Sequence, residues 1–84
     1  MEDLDLLRKR LLYQSQHRGT REMDFILGGF AQKHLDSMNY KDLKKFEALL
    51  AFPDQEIYGW VFKKTPVSTH TFRGLMIRIQ NSLT

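Results

Sequence analysis

Apolar residues recur along most of this chain with the three- and four-residue spacing of amphipathic helices, and no stretch alternates as a strand does. Five stretches carry such a stripe, and residues suited to begin or end a helix lie between them. The chain has 84 residues, enough for one modest core and no deep cleft. We therefore predict an all-α protein, a compact five-helix bundle in which residues 1–84 form a single small domain.

The first two helices are predicted to meet at a glycine turn. Asp3 is a suitable N-cap for a first helix that ends near His17, and Gly19 then favours a left-handed turn. Thr20 is a suitable N-cap for the second helix. The apolar faces of these two helices are Leu4, Leu7, Leu11 and Leu12, and then Met23, Ile26, Leu27 and Phe30.

Gly28 and Gly29 lie inside the second stripe. A glycine within a helix costs about 1 kcal/mol relative to alanine. Close approach of another helix would offset that cost, although the sequence does not indicate which helix approaches.

The last three helices are bounded by prolines and capping residues. Asn39 caps the third helix, Pro53 ends it and begins the fourth, and Thr65-Pro66 ends the fourth. Ser68 or Thr69 caps the fifth helix. The predicted inward residues are Leu43, Phe46, Leu49 and Leu50; Ile57, Trp60 and Val61; and Phe72, Leu75, Met76, Ile79 and Leu83.

Composition removes several classes of chemistry. The chain has no cysteine, which excludes disulfides, zinc–cysteine sites and thiol catalysis. The three histidines, His17, His34 and His70, lack the spacing of metal ligands. Glu22 and Asp24 are two apart on a helix and point to different faces, which argues against a paired acid–base site. We predict neither a metal site nor enzymatic activity of its own.

Charge and the first residues bear on partners and location. The net charge of +3 leaves nucleic acid or an acidic protein face open as partners. Most basic residues are mixed with acids, as on a solvated surface, and no single helix carries a basic, base-reading face. The opening MEDLDLLRKR does not resemble a signal or transit peptide, and no stretch is long enough to span a membrane. We therefore expect a cytoplasmic protein without membrane insertion.

Aromatic residues near the end of the fourth helix have two interpretations. Trp60 is assigned to the core, although a tryptophan in a small bundle often leaves one edge exposed. Tyr58 and Phe62 flank Trp60 off the main stripe. They are either ordinary exposed apolar residues or a secondary apolar patch for a partner.

The segment HRGTREMD, residues 17–24, is the densest in charge. A helix start accounts for its glycine, its threonine and its two acids. The same interpretation leaves Arg18 and Arg21 in water at the positive end of a helix dipole, where cations are mildly unfavourable. Such a local misfit is typical of a surface selected for function.

This segment also resembles the R-G-x-x-E signature of the succinate dehydrogenase assembly factor 2 family, called SdhE in bacteria. Leu11, Leu12 and Tyr13 match the residues before the signature, and Phe30-Ala31 matches the end of its second helix. The stretch from Asp54 to Trp60 resembles a D-x-x-[IL]-x-x-W segment. The resemblance covers nearly the whole chain, with departures at Met23, where leucine is usual, and at Gly29, where many bacterial members carry a larger or basic residue.

The resemblance implies a function. Family members are small five-helix proteins that promote covalent attachment of FAD to a histidine of the succinate dehydrogenase flavoprotein subunit, and some also serve the related fumarate reductase. Because the attachment is generally viewed as autocatalytic in the flavoprotein, the implied role is that of an assembly chaperone. Such a chaperone binds no FAD stably and acts on FAD held by its partner.

The resemblance also implies which residues bind that partner. Gly19 allows close approach of backbones, Arg18 can fork onto a carboxylate or carbonyl, and Glu22 can orient a histidine. The expected partner-binding residues are His17, Arg18, Gly19, Arg21, Glu22 and Asp24. Asp24 has an equally good interpretation as a helix-dipole residue. The alternative class is another helical binding module, either an antitoxin-type protein or a small basic nucleic-acid-binding protein.

Overall fold

The computed structural model of the protein describes residues 3–67 and 70–83, and all regular structure in these ranges is helical. The prediction of an all-α bundle with five helices is confirmed for this part of the chain. Short 3-10 turns, at Leu35–Ser37 and His70–Phe72, precede the third and fifth helices. The helices are α1 (Leu4–Gln16), α2 (Arg21–His34), α3 (Tyr40–Leu50), α4 (Asp54–Val61) and α5 (Arg73–Ser82).

The first three helices begin at the predicted caps. A side-chain oxygen of Asp3, Thr20 or Asn39 accepts a hydrogen bond from a backbone N–H of the first turn, at 2.9, 3.2 and 2.9 Å respectively. Pro53 directly precedes α4, as predicted. The predicted cap of the last helix, Ser68 or Thr69, lies outside the described residues.

The fourth helix ends earlier than predicted. Instead of continuing to Thr65-Pro66, α4 ends at Val61, because Lys63 adopts a left-handed conformation with φ 59°. The N–H of Lys64 donates to the Gly59 carbonyl at 2.8 Å, and the N–H of Lys63 donates to the Trp60 carbonyl at 3.3 Å. This pair of bonds is the Schellman arrangement, which usually has glycine where this chain has lysine.

A single apolar core holds the helices together. All predicted inward residues of α2, α3 and α4 are buried. Trp60 is 4% exposed, so its predicted core position is confirmed: Phe52 and Phe72 pack on its ring, with centroids 5.1 and 6.3 Å away. The prediction that Leu83 is buried is wrong, because α5 ends at Ser82 and leaves Leu83 37% exposed. No helix in the described ranges is long and apolar enough to cross a bilayer.

Arg8 joins α1 to the segment between α2 and α3. Its Nε donates to the Leu35 carbonyl at 3.0 Å, and its Nη2 donates to the Met38 carbonyl at 2.9 Å. A guanidinium has donors in a fixed fork that suits two neighbouring carbonyls. Arg8 therefore contributes to the fold and is not simply a solvated surface charge.

The paired glycines of α2 have different environments. A Cβ added to Gly28 would lie 2.8 Å from Gln16 Cγ, 3.2 Å from Gln16 Cα and 3.3 Å from the Ser15 carbonyl oxygen. The helix that approaches Gly28 is therefore α1, and a methyl group would require the Gln16 side chain to shift and the α1 backbone to move by a few tenths of an ångström. A Cβ added to Gly29 would meet nothing within 4 Å, so no close approach offsets the cost of this glycine.

The two glycines should therefore respond in opposite directions to alanine. Gly29→Ala should stabilise the protein by about 0.5–1 kcal/mol, because alanine favours the helix and fills open space. Gly28→Ala should destabilise it, because α1 must move away from α2 to admit the methyl group. Thermal denaturation followed by circular dichroism tests the pair. A higher melting temperature for Gly28→Ala would show that the α1–α2 contact is loose.

Candidate functional site: the signature segment and its neighbours

The turn between α1 and α2 has the predicted glycine conformation. The segment His17–Asp24, called the signature segment below, contains this turn and the first residues of α2. Gly19 has φ +107°, in the left-handed region that side chains disfavour. A Cβ placed on Gly19 would meet nothing within 4 Å. Conformation explains this glycine within the free chain, and its surface is open to close approach.

The guanidinium of Arg18 lies between the end of α3 and the start of α4. Its Nε donates to Asp54 Oδ1 at 2.7 Å, and its Nη2 donates to the Phe52 carbonyl at 2.7 Å. Its Nη1 donates to the carbonyl of Leu50, the last residue of α3. The side chain of Arg18 is only 13% exposed. All three nitrogens of the guanidinium therefore have acceptors within the chain.

This position resolves the misfit of Arg18. Although the residue precedes α2, its charge lies at the carboxyl end of α3, where the helix dipole favours a cation. The carboxylate of Asp54 in the first turn of α4 adds a charge-assisted hydrogen bond. The interpretation that left Arg18 in water is wrong. The predicted fork onto a carboxylate and carbonyls exists, but its acceptors belong to this chain.

Asp24 also holds the signature segment. Its Oδ1 accepts a hydrogen bond from the backbone N–H of Arg18 at 2.5 Å, across the turn. Asp24 is partly buried and lies in the first turn of α2, where a carboxylate also interacts favourably with the helix dipole. Asp24 therefore fixes the backbone of Arg18, while Asp54 and the carbonyls of the α3–α4 junction fix its side chain.

Arg21 and Glu22 differ from Arg18 and Asp24. Both side chains are exposed, and neither makes a hydrogen bond or ion pair with the residues that the structure describes. The interpretation of Arg21 as a solvated arginine is confirmed in the free chain. Both residues border a depression of about 410 Å³ between the signature segment and α4. Its lining residues are Thr20, Arg21, Glu22, Met23, Asp54, Gln55 and Tyr58.

His17 faces a second depression, of about 580 Å³, on the α1–α3 side of the segment. Its ring stacks on Tyr13 with centroids 4.1 Å apart. Its Nδ1 lies 2.8 Å from the Tyr13 carbonyl oxygen, so this nitrogen carries a hydrogen and donates it. The structure thus groups Gly19, Arg21 and Glu22 as exposed parts of the segment, while His17 is partly engaged by α1.

Comparison with known proteins identifies the family of this chain. A family model described as the flavinator of succinate dehydrogenase matches residues 9–83, which include the whole signature segment and α2 to α5. The chain belongs to this family.

Relatives from fungi and bacteria share most of the chain. It is 48% identical over 69 residues to succinate dehydrogenase assembly factor 2, mitochondrial, of Candida glabrata, covering 79% of this chain and 45% of that protein. The protein of the same name in Cryptococcus neoformans is 46% identical over 63 residues, 75% of this chain and 36% of its own length. FAD assembly factor SdhE of Acetobacter pasteurianus is 36% identical over 66 residues, 79% of this chain and 61% of its own. The chain thus spans less than half of each fungal relative.

Two neighbours of the flavinator signature were missed by sequence reasoning. Asp54 appears in the sequence analysis only as part of the D-x-x-[IL]-x-x-W segment, since nothing in the sequence pairs it with Arg18, 36 residues away. Phe25 was not considered, although it lies off the apolar stripe of α2 and is 74% exposed. For Phe25 the helical periodicity did contain the signal, because a residue opposite the stripe points away from the core.

The internal role of Arg18 predicts a stability effect. Arg18→Ala should destabilise the protein by about 2–3 kcal/mol, because it leaves carbonyls of the α3–α4 junction and the Asp54 carboxylate without their donor. Arg18→Lys should recover only part of this loss, since an ammonium cannot reproduce the fork. Urea denaturation measures both variants.

Arg21 supplies a matched control within the same segment. Arg21→Ala removes an equal charge from an exposed, unpaired position, so the free energy of unfolding should change by less than about 0.5 kcal/mol. Equal stabilities for Arg18→Ala and Arg21→Ala would contradict the internal role of Arg18.

Proposed function

We propose that this chain promotes the covalent attachment of FAD to the flavoprotein subunit of succinate dehydrogenase, as an assembly factor that binds the flavoprotein through the signature segment. The observation that carries the proposal is the family match across residues 9–83, which contain an exposed Gly19 and a Glu22 side chain with no partner among the described residues. The names of the relatives, assembly factors for succinate dehydrogenase or for FAD, support the same role.

The signature residues divide into two roles in this proposal. Arg18 and Asp24 are positioning residues, because their polar groups are bonded within the chain and fix the turn. Gly19 and Glu22 contact the flavoprotein: the glycine lets the two backbones approach, and the carboxylate accepts a hydrogen bond. Arg21 lies beside Glu22 on the same exposed surface and contributes a second charged contact.

A rigid surface of this kind can aid a reaction without supplying a reacting group. Correct orientation of reacting groups contributes up to about 7–11 kcal/mol to lowering a barrier in the best cases. In this proposal the chain holds a flavoprotein segment so that its histidine and FAD meet, while the flavoprotein supplies the chemistry. Because the turn is already fixed in the free chain, little conformational entropy is lost on binding.

The nucleic-acid alternative is weakened because several basic side chains make contacts within the chain. Arg8 and Arg18 donate to backbone carbonyls within the chain. Among the other cations, Arg10 and Lys44 both pair with Glu47, and Arg78 lies 4.0 Å from Asp42. A phosphate-binding surface needs a cluster of available cations, and these residues are engaged elsewhere.

Glu22 should be needed for function but hardly for folding. Glu22→Gln should lose most covalent flavin incorporation when it is co-expressed with the flavoprotein, while its stability falls by only about 0.3–1 kcal/mol from the lost dipole interaction. Flavin fluorescence of the flavoprotein band in a denaturing gel measures the attachment.

Glu56→Gln is the matched control, because Glu56 is also an exposed acid in the first helical turn, on α4. It should retain the attachment seen with the unaltered chain. If Glu22→Gln is as active as Glu56→Gln, the signature glutamate is only a helix-start residue.

Two substitutions of Gly19 separate strain from obstruction. Gly19→Ala and Gly19→Arg both place a side chain at φ +107°, at a cost of about 1–2 kcal/mol in stability. Only the arginine projects far enough to block a partner from the turn. Gly19→Arg should therefore lose the complex with the flavoprotein while Gly19→Ala, if folded, retains much of it, as measured by co-purification. Equal binding by the two variants would place the contact away from Gly19.

A further inference from the structure

An exposed apolar surface lies next to Glu22, on the side of α2 away from the turn. A depression of about 350 Å³ is formed there by side chains of α2 and of the residues that directly follow α4 and α5. This cavity, called the apolar depression below, is lined by Glu22, Phe25, Ile26, Phe62 and Leu83. Three of these are large apolar residues with substantial exposure: Phe25 at 74%, Phe62 at 45% and Leu83 at 37%.

Three large exposed apolar side chains thus lie around one depression, whereas exposed apolar residues are usually scattered singly over a protein surface. The other large exposed apolar residues of the described chain do not line this depression; they are Leu6, Tyr13, Tyr40 and Ile77. Single exposed apolar residues need no explanation, whereas several around one concave site are typical of an interaction surface. An aromatic ring such as that of Phe25, which is mostly exposed in the free chain, is also a common centre of binding energy.

The apolar depression is continuous with the signature surface. Glu22 lines both this depression and the one between the signature segment and α4. Tyr58, which lines the depression between the signature segment and α4, is in ring contact with Phe62 of the apolar depression, with centroids 4.6 Å apart. A partner that reaches Glu22 therefore meets Phe25 on the same side of α2.

We propose that the apolar depression is the second half of the flavoprotein-binding surface, and that it receives an apolar side chain of the flavoprotein next to a cation or hydrogen-bond donor that pairs with Glu22. The occupant follows from two features: the wall is aromatic and aliphatic, and the one charged group in it, Glu22, has no partner in the described chain. This inference rests on the proposed function, because it assigns the same partner to the adjoining surface. It also gives a role to the aromatic pair Tyr58 and Phe62.

Phe25 provides the test, because its exposure lets it be changed without disturbing the core. Phe25→Ser should weaken the complex with the purified succinate dehydrogenase flavoprotein by about tenfold or more, the size of effect usual for a buried interface aromatic. Phe25→Leu should bind better than Phe25→Ser, since it keeps much of the apolar area.

Ile77→Ser is the control: Ile77 is 56% exposed on α5 and lies outside the depression, so affinity should not change. Calorimetric titration measures affinity, and circular dichroism should show equal melting for the variants and the unaltered chain to within a few degrees.

The outcomes separate this inference from the proposed function. If the unaltered chain binds the flavoprotein and Phe25→Ser binds equally well, the apolar depression is not part of the interface, although the proposed function stands. If the unaltered chain neither binds the flavoprotein nor raises its covalent flavin content, both fail. Sedimentation of the chain alone gives a further test: a concentration-dependent dimer that Phe25→Ser abolishes would assign the depression to a second copy of this chain and overturn the flavoprotein as its occupant.

Discussion

The contact between Arg18 and the α3–α4 junction is the interaction on which the candidate site depends. One guanidinium joins the turn before α2 to the last carbonyl of α3, to the Phe52 carbonyl and to the carboxylate that begins α4. Residues far apart in sequence thereby meet at one place. Without this contact the turn would be held by local interactions alone, such as the Thr20 cap and the bond from the Arg18 N–H to Asp24. With it, Gly19 and Glu22 are presented in one fixed arrangement at the surface.

Arginine serves the same purpose twice in this small protein. Arg8 connects α1 to the Leu35 and Met38 carbonyls, and Arg18 connects the next turn to α3 and α4. A core of this size contributes limited stability, so polar contacts that join the loops to the helices matter more than they would in a larger domain. Each guanidinium lies at backbone carbonyls near the end of a helix or 3-10 turn, where a fork of donors suits the geometry. The positive net charge of the chain therefore overstates the basic surface that it offers.

Local patterns predicted most of the fold, and what they missed has two causes, one local and one long-range. Caps such as Thr20 and Asn39, and the stripes of α2 to α4, depend on neighbours within a few residues, so the sequence contains them. The end of α4 was misplaced because a lysine adopts a conformation that usually indicates glycine. The role of Arg18 could not be predicted either, because its acceptors lie more than thirty residues away. For the site, motif resemblance singled out the signature segment, whereas only the structure separates its internally bonded residues from its exposed ones.

The most direct test of this account is the exchange behaviour of the Arg18 side chain, measured by NMR on its Nε–H signal with and without the flavoprotein. The account predicts that this hydrogen exchanges slowly in the free chain, because it is bonded to Asp54, and that its signal changes little in the complex. The backbone amides of Gly19 and Glu22 should shift on binding. An Arg18 Nε–H that exchanges rapidly in the free chain and becomes protected only with the flavoprotein would show that Arg18 is a partner contact, and would contradict the account.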